Sequence, residues 1–235
     1  MASDDLLLPL LSLGKVAPLA DTATRAIAAV HRRPVSLRRP ELTGSESVLR
    51  GARTSTLIDG APPTLDPQPT GALGRAISVY GLLAPDRLEA SARTFRRAPL
   101  QVLARMDTLA GGTGVPAVED GAERLRVLAK VISSGAHAAL LPQVVHGEVL
   151  SHRLFGPNSG LVARAASRLA AVTTGFDPRG LAVPEPWLNR HRSGYEAVVA
   201  GFAEGPEGVG EFLEFTLRSW IAGAKEAESI AEAAS

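Results

Sequence analysis

Cysteine is absent from the 235 residues, which excludes disulfides, thiolate nucleophiles and sulfur-ligated zinc or iron–sulfur centres. Aromatics are scarce, at 4%. Trp187 and Tyr195 flank a basic Arg190-His191-Arg192 cluster, but two rings are too few for a recognised nucleic-acid module. Charge of one sign is not in excess either. The 25 Lys and Arg against 24 Asp and Glu leave a formal +1, so no broad field draws nucleic acid or an acidic membrane, and neither is expected as a partner. Long apolar runs are missing. Leu6 to Leu13 is too short to span a bilayer, and Asp4 and Asp5 stand where an export signal would carry positive charge. The expectation is a cytoplasmic protein without an export or membrane-spanning segment.

What the chain has is 45% hydrophobic residues, enough for one substantial core, and the reading is a main domain over 45–235 preceded by an N-terminal helical extension over 1–44. Apolar residues recur at helical spacing. Helices are expected over about 16–30, from a Ser45 or Ser47 cap toward Leu57, and over 71–83, 86–95 and 98–110. Others are expected over 123–134, from His137 or Pro142 to His152, from Leu161 to a stop at Gly175, over 189–202, and over 207–233 as one helix or two. Residues 35–44 read as a polar connection, and the proline-rich 59–70 as a loop. Gly111 to Gly121 reads either as a short β-hairpin flap or as a plain loop. Alternation long enough for a sheet is missing, so the fold class is all-α.

The stretch SHRLFGPNSGLVARAASRL, Ser151 to Leu169, breaks this helical pattern at Gly156 and Pro157. Asn158 or Ser159 can cap the helix that follows, and Gly160 adds backbone freedom beside amides that lack intrahelical partners. A helix start of this kind accommodates a phosphate or carboxylate. Arg153 precedes the turn, Arg164 lies one turn beyond it and Arg168 one turn further. The same residues also fit a plain capped turn between two packed helices, with arginines paired to carboxylates. His146, Glu148 and His152 do not converge on one helical face, so no metal site is assigned. Gly111-Gly112-Thr113-Gly114 lacks the Lys-Ser/Thr ending of a phosphate-binding loop.

The helix-loop-helix resembles the signature region of Fic-type, or Fido-domain, proteins, whose pattern is His-Pro-Phe, two residues, Gly-Asn-Gly-Arg, two residues, Arg. Phe155 matches the aromatic, Gly160 the second glycine and Arg164 the final arginine. The segment is most similar to a divergent actinobacterial branch with an eroded pattern. The resemblance implies an all-helical Fic-like domain, with the 111–118 segment as the flap that positions a protein target.

The departures bear on chemistry. Arg153 stands where the family has its histidine, Leu154 at the proline, Pro157 at the acidic residue, Asn158 and Ser159 at the first glycine and the asparagine, and Leu161 at the first arginine. Arginine stays protonated and cannot act as general base, and proline offers no carboxylate to a cation. His152 is one place early, about 100 degrees off in aim. It, or a residue outside the signature, would supply the base of an atypical nucleotidyl or phosphoryl transferase. Ser55-Thr-Leu-Ile-Asp59-Gly60 resembles the family's inhibitory segment, and the resemblance implies an ion pair from Asp59 to Arg164 that closes the pocket. Three readings follow: a noncatalytic protein keeping an anion or nucleotide pocket for regulation or protein interaction; the transferase, using ATP or another nucleotide, with Mg only if active; and a helical structural protein without a specific ligand. Residues 1–44 leave open a homo-oligomer.

Overall fold

Proline sets where many of the helices begin. It lacks an N–H that a first turn would leave unpaired anyway, and its φ is already helical. In the computed structural model, which describes residues 5–235, helices start on or beside Pro34, Pro40, Pro85, Pro99, Pro142, Pro186 and Pro206. In chain order the elements are α1 (Val16–His31), α2 (Pro34–Arg38), α3 (Pro40–Ile58), α4 (Ala72–Tyr80), α5 (Pro85–Arg97), α6 (Pro99–Leu109), α7 (Gly121–Ser133), α8 (Leu141–Ser151), α9 (Ser159–Thr174), α10 (Glu185–Arg190), α11 (Arg192–Gly201) and α12 (Pro206–Ala233). Short 3₁₀ turns cover Leu8–Ser12, Gly81–Leu83, Gly156–Asn158 and Phe202–Glu204. The fold is all-α, with no β-strand among the described residues.

The centre is α9. Twelve of its sixteen residues are buried, so it is not a surface helix with one apolar stripe but a helix covered on nearly every side. Its alanines at 163, 165, 166, 170 and 171 are all buried, and their small side chains let α8, α5, α3, α4 and α6 approach it closely. Polar groups on such a helix must find partners inside the protein, which is the origin of both arginine clusters described below. At the far end, Gly175 adopts φ 77° and terminates the helix, as the spacing predicts.

The first helix belongs to the same core. Val16, Ala20, Ala23, Ile27 and Val30 recur at helical spacing, are buried, and pack with α12. The boundary expected between residues 44 and 45 falls inside α3, which runs unbroken from Pro40. The polar connection expected at 35–44 is instead α2 and the first turn of α3, because Pro34 and Pro40 open helices rather than break them. Neither Ser45 nor Ser47 is a cap. Ser47 lies mid-helix and its hydroxyl donates to the Gly180 and Leu181 carbonyls. The C-terminal segment is one helix, α12, with Phe212, Leu213, Thr216 and Trp220 buried.

The expected hairpin flap does not form. Gly111 and Gly114 take φ of 94° and 77°, and Pro116 has no N–H to offer a ladder, so the segment curls into bends. It is tied down twice: Ala117 N–H donates to Leu154 O at 2.8 Å, and Gly114 N–H to Asp107 Oδ2 at 2.8 Å. No described helix is long and apolar enough to cross a membrane.

Candidate functional site

Ser55 and Asp59 lie four residues apart at the end of α3, and this spacing puts both on one helix face. That face clasps Arg164. Its Nε donates to Ser55 Oγ at 2.8 Å, and its Nη2 to Ser55 O at 3.2 Å and to Asp59 Oδ2 at 2.5 Å. The guanidinium is 2% exposed, whereas the Asp59 side chain is 40% exposed. A Cβ on Gly160 would lie 2.7 Å from Asp59 Oδ1 and 3.0 Å from Arg164 Nη1, so the glycine is required by the close approach of the ion pair to the first turn of α9. Gly60 closes α3 with φ 84°. Its own N–H donates to Leu57 O at 3.1 Å, and that of Ala61 to Thr56 O at 3.0 Å. This is the six-to-one and five-to-two pair of a helix stop, and it fixes where Asp59 points.

Beneath Arg164 lies a buried pair. His146 Nε2 is 2.5 Å from the Tyr195 hydroxyl, and Phe212 meets the imidazole edge-on. The imidazole is enclosed by these rings and stays neutral. Burial, with Arg164 second, pushes the His146 pKa down to about 3. Burial also pushes the Tyr195 hydroxyl up to about 12, against the pull of Arg164. For Arg164 itself, burial opposes the charge, but Asp59, Tyr195 and Tyr80 outweigh it, so the guanidinium holds its proton more firmly than an ordinary arginine.

In front of the ion pair is an open cleft of about 340 Å³, lined by Asp59, Gly60, Arg75, Pro157, Asn158 and Leu161 among others. Arg75 is its cation; the side chain donates to Thr70 O and forms no ion pair among the described residues.

Of the remaining candidates Asn158 lines this cleft, whereas His152, Arg153, Ser159 and Arg168 do not. His152 ends α8 with its Nε2 3.1 Å from Arg124 Nη1 and 3.7 Å from Glu148 Oε2, and with its ring against Phe202. It faces α7, away from the Ser55, Asp59 and Arg164 group. Arg153 is exposed and holds φ 49°. It is the left-handed stop of α8, with its own N–H bonded to Leu150 O and that of Leu154 to Val149 O. Asn158 does not cap α9 but donates from Nδ2 to Asp107 Oδ1 at 2.8 Å. Ser159 does not cap it either: its hydroxyl accepts from Phe155 N–H, and its own N–H is spent on Gly156 O. The reason is geometric. The 3₁₀ turn runs directly into α9, so Asn158 has helical angles of −84° and −8°, whereas a capping side chain needs extended backbone.

Arg168 lies deeper. It donates to Ser47 Oγ at 2.6 Å, to Ser47 O and to Gly180 O, stands 3.7 Å from Glu185 Oε1, and covers the Tyr80 ring. Tyr80 donates to the same Glu185 oxygen at 2.8 Å, and burial followed by Glu185 raises its pKa. Both charges are sealed, at 1% and 0% exposure, so Arg168 is not an anion ligand of the cleft. Among the described residues no three His, Asp or Glu side chains come together as a metal-holding set; His146 is turned to Tyr195 instead of Glu148 and His152.

Sequence reasoning missed Asp107, Tyr195, Tyr80 and Glu185. The only signal for Asp107 was a carboxylate on the buried face of an amphipathic helix, beside Leu103 and Met106. The partners of the other three come from distant helices. The chain matches no protein-family model, and no curated protein is similar to it at a significant level.

Proposed function

We propose that this chain is a noncatalytic, Fic-like helical protein with an anion pocket at the start of α9, held shut by its own Asp59. The observation that carries the reading is the placement of the Asp59 carboxylate. It occupies the position beside Arg164 and above Gly160 that a phosphate oxygen would take, and it is the one partner of Arg164 that is substantially exposed. Release of Asp59 leaves Arg164 still aimed by Ser55, with Arg75 across the cleft, a pair of cations suited to a phosphate or diphosphate group such as that of a nucleotide.

A divalent cation does not fit here. Pro157 contributes no ligand, Asp107 already spends both oxygens on Asn158 and Gly114, and Asp59 is the lock. No histidine is directed into the cleft, since His152 faces α7 and His146 is buried against Tyr195, and the carboxylate there, Asp59, is paired with Arg164. These placements favour binding over the transferase reading. The three hydrogen bonds to a buried Arg164 also suit a purely structural pin, and one experiment separates the two. Calorimetric titration with ATP and with pyrophosphate should show binding to Asp59→Ala, at least tenfold weaker binding to the wild type, and loss in Asp59→Ala/Arg164→Lys. A folded Asp59→Ala that binds neither probe at millimolar concentration leaves Arg164 a structural pin.

A further inference from the structure

A second surface, independent of the α9 pocket, lies between α6 and α7. Leu100, in the first turn of α6, is 40% exposed and borders two clefts of about 260 and 450 Å³. The two clefts meet at Leu100 and are taken together as one groove along α6 and α7. One end is floored by Leu125 and Phe155 and edged by Arg126; the other is edged by Arg97 and Lys130. No Asp or Glu lines either cleft, in a chain whose acids and bases are nearly balanced. Arg97 and Lys130 form no ion pair among the described residues, while Arg126 pairs with exposed Glu123. The attraction of helix C-termini for cations explains Arg97 and Lys130, each in a last turn. It does not explain an exposed leucine between them.

We infer that this groove docks an acidic peptide segment of a protein partner, one that seats an apolar side chain over Leu100 and presents carboxylates to Arg97, Lys130 and Arg126. The charge pattern selects this occupant. A neutral apolar segment would leave Arg97 and Lys130 at the rim without counter-charge, and a basic one would be repelled. The dimensions suit a short segment. From Ala122 to Ser133 α7 runs about 17 Å at 1.5 Å per residue, room for roughly five extended residues at 3.3 Å each. Such a contact is small, so affinity in the micromolar range and strong salt dependence are expected.

The test is fluorescence anisotropy with a fluorescein-labelled (Glu-Glu-Leu)₃ peptide, with (Lys-Lys-Leu)₃ as control. The acidic probe should bind saturably and the basic one should not. Affinity should fall at least tenfold in Arg97→Glu/Lys130→Glu and in Leu100→Asp, and fall with added salt. All three sites are at the surface, so circular dichroism should match the wild type, with melting lowered only slightly where the two helix-end charges are reversed. Asp59→Ala should bind the probe as the wild type does, which separates this groove from the α9 pocket. Absence of saturable binding, or equal binding in the variants, overturns the inference. So does a wild-type dimer in sedimentation that Leu100→Asp dissociates, because the occupant is then a second copy.

Discussion

Arg164 and Arg168 sit one turn apart on the same buried helix, and each faces a carboxylate, yet the two pairs are built differently. Glu185 is fully buried and shares Arg168 with Tyr80 and Ser47. Asp59 sits at a helix end with 40% of its side chain in solvent. Removing a partner from the first pair strands a charge where water cannot reach, whereas removing it from the second opens Arg164 toward a cleft. In the proposed function, this difference in carboxylate burial is what would let Arg164, and not Arg168, exchange its partner for a guest.

The largest effect expected from breaking this comparison is at the sealed pair. Glu185→Ala should destabilise the fold by about 3–5 kcal/mol, read as the shift in urea midpoint, because Arg168 is left uncompensated. Gly51 sharpens the point. A Cβ there would lie 2.3 Å from Arg168 Nη1 and 2.8 Å from the Tyr80 ring, so Gly51→Ala should also destabilise, by about 1–3 kcal/mol of overpacking.

Next comes pH. The folded-state pKa of His146 is about 3, against about 6.5 in an unfolded chain. Below that unfolded value the unfolded state binds a proton that the folded state refuses. Stability is thus complete above pH 6.5 and falls as pH drops toward 3, by up to about 1.4 kcal/mol per unit. Urea titrations between pH 7.5 and 4.5 should show this slope, and His146→Gln should remove its share.

Asp59→Ala comes below these in stability. Solvent screens the exposed Asp59 carboxylate and Arg164 keeps its two bonds to Ser55, so a smaller loss than at Glu185 is expected, with the same variant being the one that gains anion binding. A stability loss as large as that of Glu185→Ala would erase the distinction between the two arginines. The smallest effect lies outside both pairs. Arg153→Gly relieves a left-handed backbone at a helix stop and should stabilise by roughly 0.5–1 kcal/mol in thermal unfolding, without changing anion binding.

The two helix stops show how far a sequence can be read locally. Gly175 is legible because glycine tolerates positive φ, while Arg153 occupies the same kind of position with no side-chain signal for it. Helix content was legible for a similar reason, since apolar spacing reports burial directly, as at Leu125, Leu128 and Ile132. Prolines misled at residues 34–44, where they open helices. Around the candidate site, Asp59 and Arg164 were legible as a pair only through the resemblance; nothing in local spacing links α3 to α9. His152 drew attention for its place in the signature turn, but its C-cap geometry turns it toward Arg124.

The amino-acid sequence by itself determined an all-helical chain, the stop at Gly175, the broken turn before α9, and the absence of thiol chemistry, because these depend on backbone preference and residue type within a few positions. Only the tertiary structure decided that the carboxylate facing Arg168 is sealed and the one facing Arg164 is not, that Asn158 serves Asp107 rather than a helix cap, and that Leu100 lies exposed beside Arg97 and Lys130. Each of those outcomes depends on which distant side chain supplies the partner and on how much water reaches it, and neither quantity is carried by neighbours along the chain.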